Sequence, residues 1–234
     1  MCFDANTSLA TFSISFLSAA YLYNKNNKLD KFLAVVTILI GLMQLLEFFI
    51  WRNQQCSQIN HMLSLLIIVL LTIQPILGVN YYNKLFNHFN KKAVALYSLA
   101  SLLFTGYNIG KLNKYSLCSK PTSKSCRLNW DAFTKVNYSN KIIPITFFTF
   151  YFVPQILIGL SLYKNHKNDL LKRPLTFTFL PTTFIVTLLY VCYTQNIFQE
   201  VAFDPYIYLE NADVWGTMWC FMSIFLGLLA IAGV

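Results

Sequence analysis

The sequence predicts an all-α, polytopic membrane protein of seven transmembrane helices, with its N-terminus outside and its C-terminus inside. Three observations carry that prediction. Charged residues make up 12% of the 234 and hydrophobic residues 56%, whereas a soluble domain carries roughly 25% charged residues to keep its surface in water. Aromatic residues reach 17%, in keeping with the preference of Tyr and Trp for the bilayer interface. The apolar residues also gather into runs close to the ~20 residues that hydrocarbon requires of a spanning helix.

In chain order the runs are Thr7–Tyr23, Phe32–Trp51, Gln58–Val79, Ala93–Tyr107, Ile142–Tyr163, Leu175–Thr194 and Val214–Val234, the fourth being the shortest. All 18 Lys and Arg residues fall between them. That is the physical expectation, since an unpaired Lys at a helix centre costs about 2.5–3.5 kcal/mol even on the mildest scale. The net charge of +9 is therefore read as topology and headgroup contact, not as nucleic-acid binding. Met1-Cys2-Phe3-Asp4 has no basic n-region, so the first run is expected to remain as a helix instead of being cleaved as a signal peptide. The chain reads as one transmembrane domain with external loops at 108–141 and 195–213.

Orientation follows from the bases. Three short connections carry Lys25, Lys28, Lys31, Lys84, Lys91, Lys92, Lys164, Lys167, Lys172 and Arg173 against only Asp30 and Asp169. The opposite side holds eight bases, seven of them spread over the long fourth connection, and six acids. Density within short loops sets topology, which places the three basic connections in the cytoplasm. Cysteines agree. Cys2, Cys56, Cys118 and Cys126 lie in outer segments, and Cys192 and Cys220 near outer helix ends, where an oxidising exterior permits disulfides. Cys118 and Cys126, in one polar loop, are the expected pair, with Cys2–Cys56 second; Cys192 and Cys220 read as small hydrophobes. No metal site is expected. The sequons at Asn6 and Asn137 fall on the same outer side but close to the membrane.

Three stretches carry a family resemblance. Met1-Cys2-Phe3-Asp4-Ala5, Gln44-Leu45-Leu46-Glu47-Phe48-Phe49-Ile50-Trp51 and Met218-Trp219-Cys220-Phe221-Met222 resemble the Met-Cys-Phe-Ser-Ala start, the Gln-x-x-Glu-x-x-x-Trp signature and the Val-Trp-Cys-Phe-Phe close of a domain-of-unknown-function family of short multi-pass membrane proteins. Asp4 stands where that family has Ser, and Phe198–Asp213 looks like an insertion. The resemblance implies fold and membership, with no activity to carry over. Pro154-Gln155 is similar to the Pro-Gln pair of PQ-loop and sugar-transporter-like seven-helix proteins, although Thr7–Tyr23 has no matching proline.

Glu47 is the only acid inside a predicted span, and an ionisable group in that position is a functional candidate by default. Gln44 lies three residues earlier on the same helix face. Asn60, His61, Tyr190 and Trp219 are expected at a similar height, lining an outward-facing ligand pocket with them. Gln74-Pro75 and Pro154-Gln155 are deeper candidates for helix kinks or cavity linings, because each proline frees a backbone carbonyl. Several chemistries find no support: there is no Lys in the last run for a retinal Schiff base, no Gly-x-Ser-x-Gly elbow and no Gly-rich phosphate loop. Little chain follows the last run for a cytoplasmic effector. The expected function is that of a small-solute or ion transporter, or a ligand-binding membrane protein. The expected partners are the lipid bilayer and a small ligand at the outer-leaflet pocket. The alternatives are a structural or assembly protein whose polar groups join helices, and an intramembrane enzyme, for which no nucleophile and base pair is visible. The residues name no cofactor.

Overall fold

A computed structural model of the chain describes residues 4–25, 27–121, 128–132, 142–165, 182, 185–187, 189–190, 193 and 225–233. The described chain is mostly helical: α1 Ala5–Asn24, α2 Lys28–Arg52, α3 Gln58–Phe86, α4 Lys91–Leu112, α5 Ile142–Asn165 and α6 Phe225–Ala232. Three of these, α2, α3 and α4, are long and apolar enough to cross a membrane. The separate described positions between 182 and 193 are helical and lie within the expected sixth run, most of which is outside the described residues, as is the connection 195–213.

Each of the first four helices starts on a polar cap. Asp4 accepts the Thr7 N–H at 2.8 Å, Asn27 the Leu29 N–H at 2.9 Å, Ser57 the Asn60 N–H at 3.4 Å and Asn90 the Lys92 N–H at 2.8 Å. These side chains satisfy backbone donors that the helix itself leaves open. α3 ends on Asn87 in the left-handed conformation (φ 49°), which a short polar side chain tolerates. The helices overrun their apolar runs, because bases at their ends reach back over aromatic rings. The Lys25 ammonium lies 4.9 Å from the Tyr21 ring, Lys111 lies 4.8 Å from Tyr107, and the Arg52 guanidinium lies 5.7 Å from Phe48. The shortest expected run, Ala93–Tyr107, thereby becomes a helix of 22 residues, and the loop expected from 108 begins only after Leu112.

α1 packs along α2, α2 along α3, and α3 against both α4 and α5; α6 packs against α1 and α2. α1 gives one face to Ser8, Thr11, Ser15 and Ser18, all buried. Small residues there let two backbones approach. A Cβ added at Gly41 would stand 2.6 Å from the Ser15 Cβ, and one at Gly227 would stand 2.8 Å from both the Ser18 Cβ and the Thr37 Cγ2. At the end bearing the basic turns an apolar cluster includes Leu22, Phe32, Leu33, Tyr82, Ile158 and Leu226, with Asp30 and Asn83 also buried at that end. The opposite, disulfide-bearing end is built differently, because loop residues complete its core.

Candidate functional site

Glu47 is buried, at 3% exposure, on the seam between α2 and α1. Gln44 Nε2 donates to Glu47 Oε2 at 3.0 Å. Thr11 Oγ1 donates to Gln44 Oε1 at 3.1 Å, so a chain of hydrogen bonds runs from α1 through an amide to the carboxylate. The helical period explains the pair: residues three apart share a face, and Thr11 of α1 meets Gln44 across the seam of small residues. Gln44 and Glu47 are thus brought together as the sequence suggested.

Asn60 and His61 serve another element. The Asn60 amide pairs with the Ser119 backbone as a strand would. Its Nδ2 donates to the Ser119 carbonyl at 2.9 Å and its Oδ1 accepts the Ser119 N–H at 2.8 Å. Asn60 Nδ2 also donates to the Asn53 carbonyl, at 2.6 Å. The Ser64 and Ser119 hydroxyls meet at 2.7 Å. His61 Nδ1 accepts the Leu117 N–H at 3.2 Å, and its Nε2 faces Asn113 Oδ1 at 3.1 Å. The accepting Nδ1 places the proton of the neutral ring on Nε2. Both residues therefore hold the segment that follows α4, and no described contact joins either to Glu47.

That segment is a cap. Two short antiparallel strands, β1 Lys120–Pro121 and β2 Leu128–Asn129, turn the chain back over the bundle. Asp131 Oδ2 accepts the Cys118 N–H at 2.9 Å. Leu128 and Trp130 are buried in one cluster with Met43, Leu46 and Ile50 of α2, Ile67 of α3 and Tyr151 of α5. Ile67 lies nine residues into α3, so the cap reaches about 13 Å along the helices from their ends. The disulfide reflects this docking. Cys118 is bonded to Cys56 across 62 residues, with Cα atoms 5.0 Å apart. The expected Cys118–Cys126 and Cys2–Cys56 bridges are therefore corrected, because each cysteine makes one disulfide and the cap brings Cys118 to the start of α3. Cys2 and Cys126 themselves lie outside the described residues, as does Trp219.

Gln74 is a three-helix joint. Its Nε2 donates to the Leu39 carbonyl of α2 at 2.9 Å, and its Oε1 accepts the Tyr151 hydroxyl of α5 at 2.9 Å. Pro75 lines a small cavity among α3, α4 and α5, with Leu71, Thr72, Ser101, Phe104 and Tyr151. One wall carries the Thr72–Thr105 hydroxyl pair at 2.6 Å. Pro154 is buried and Gln155 half-buried on α5; neither lines this cavity. Tyr190 is 46% exposed. Sequence reasoning missed Thr11, whose signal was the Ser/Thr face recurring along α1, and Ser119, which no local pattern marks. Comparison with family models, with curated proteins and with solved structures returns no match to this chain.

Proposed function

We propose that this is a seven-helix integral membrane protein, N-terminus outside, that binds a small solute or ion at the Gln44–Glu47 pair. A single observation carries the reading: a buried carboxylate on a helix long and apolar enough to cross a membrane. Such a group is costly in a low-dielectric setting and is retained where it has work to do or a partner to hold. The density of bases in the turns at the opposite end of the bundle supports the orientation. The resemblance of Gln44–Trp51 to a multi-pass family signature supports the fold and says nothing of the solute. A second reading, a structural or assembly protein, is favoured by Asn60 and His61, which serve the cap.

Uptake of alkali cations and small polar solutes into proteoliposomes separates the two. The transport reading expects accumulation by the wild type and none by Glu47→Gln, with unchanged thermal stability. The assembly reading expects no accumulation by either protein. Cysteine labelling on intact cells tests orientation: a cysteine placed at position 131 reacts with a membrane-impermeant reagent, and one at position 28 or 91 does not.

A further inference from the structure

Thr11 Oγ1 has three oxygen neighbours. They are the Thr7 carbonyl at 2.8 Å, the Ser8 carbonyl at 3.0 Å and the Gln44 amide oxygen at 3.1 Å. A hydroxyl has one proton to donate, and its oxygen can also accept. Gln44 stands between two groups of exchangeable role: a hydroxyl that can donate or accept, and a carboxyl that accepts when ionised and donates when protonated. Turning the Gln44 amide by half a turn exchanges its oxygen and nitrogen and moves no other heavy atom.

Two hydrogen-bond patterns along the Thr11–Gln44–Glu47 chain therefore fit one set of atomic positions. In the first, Thr11 donates to Gln44 Oε1, and Gln44 Nε2 donates to an ionised Glu47. In the second, a protonated Glu47 donates from Oε2 to the turned amide's oxygen. The amide nitrogen then donates to Thr11 Oγ1, and the Thr11 proton goes to the Thr7 carbonyl, its shortest contact. We infer that Glu47 is a reversible proton-binding site and that the Gln44 amide, turning between Thr11 and Glu47, accommodates both of its charge states. This deepens the proposed function, on which it rests, by naming the bound ion as a proton.

Proton uptake forms one O–H bond at Glu47 Oε2 and breaks one O–H bond of a hydronium ion, leaving water. No other bond to hydrogen breaks, and the remaining donors only redirect. Among the described residues, the titratable groups at this end of the elements packed on α2 have contacts of their own. Asp4 caps α1, Arg52 lies over Phe48, and His61 and Asp131 hold the cap. α6 contributes no ionisable side chain.

The test is pH-difference infrared spectroscopy of the full-length protein in lipid nanodiscs. A carboxylic-acid carbonyl band is expected to grow as the pH falls and to vanish in Glu47→Gln. A Gln side-chain amide band should shift with the same midpoint and vanish in Gln44→Met. If Glu47→Gln does not assemble, Glu47→Asp keeps a carboxyl and must move the band. A band indifferent to the Glu47 variants, or one that titrates without the amide, overturns the inference. The measurement needs no transported solute. A titrating Glu47 in a protein without uptake would sink only the transport reading, and uptake without a titrating Glu47 would sink only this one.

Discussion

Two buried side-chain amides sit on neighbouring helices of this protein and behave as opposites. The Asn60 amide lies between a backbone N–H and a backbone carbonyl of Ser119. Neither group can change its role, so the amide has one orientation and the cap one position. The Gln44 amide lies between a hydroxyl and a carboxyl. Both can donate or accept, so the same geometry admits two proton arrangements. A polar side chain paired with backbone fixes structure, and one paired with titratable or rotatable side chains retains a choice. The first kind of contact belongs to scaffolding and the second is where chemistry has room.

The largest effects should come from breaking the fixed region. Cys118→Ala removes the tether and should cost about 2–4 kcal/mol in thermal or denaturant unfolding. Asn60→Ala strands the Ser119 N–H and carbonyl, at about 1–3 kcal/mol each. Both hold the same loop, so the double variant should lose less than the sum; strict additivity would mean that the cap is not one cooperative unit. Next comes the seam that carries Gln44. Gly41→Ala drives a methyl group into Ser15 and should cost about 1–3 kcal/mol by overpacking. Gly78→Ala meets nothing within 4 Å and should gain up to about 1 kcal/mol from helix propensity. Equal melting temperatures for these two variants would contradict the close approach of α1 and α2.

Smaller still is the expected stability effect of Glu47→Gln, under about 1 kcal/mol, because an amide at that position can serve either hydrogen-bond pattern with Gln44. A loss as large as that of Asn60→Ala would place Glu47 among the fixed contacts and erase the contrast. The smallest effect lies at the start of α1. The Thr7 backbone N–H donates to Asp4 and holds its carboxyl below the ordinary value of 3.8. A depressed folded pKa means that the cap's contribution is present above the unfolded value and is lost as the pH falls through the lower folded one. The protection factor of the Thr7 amide, its exchange rate relative to the intrinsic rate at each pH, should therefore fall only in acid. Asp4→Asn, which keeps the cap without the charge, should flatten that pH dependence.

Much of this was legible in the residues, and the limits have physical causes. Apolar runs mark helices because every backbone group in hydrocarbon must be satisfied internally; thus α2 and α3 were readable, along with the Gln44–Glu47 pair that one helical turn brings together. The fourth apolar run stops short of the end of α4, because Lys111 belongs to the helix with its ammonium over Tyr107. Spacing alone pairs Cys118 with its near neighbour Cys126, because the two close a small ring. Its bond to Cys56 depends on Asn60, Ser64 and Trp130 docking a segment that carries no periodic signal. Sequence alone determined where the apolar runs lie and that Glu47 falls within one of them, since length and apolarity act locally along the chain; that α2 also takes in a buried Asp30 was not visible there. Tertiary structure alone decided which amide is locked and which is free to turn, since that depends on what each amide meets across a helix seam, and Thr11 and Ser119 stand 33 and 59 residues from the side chains they engage.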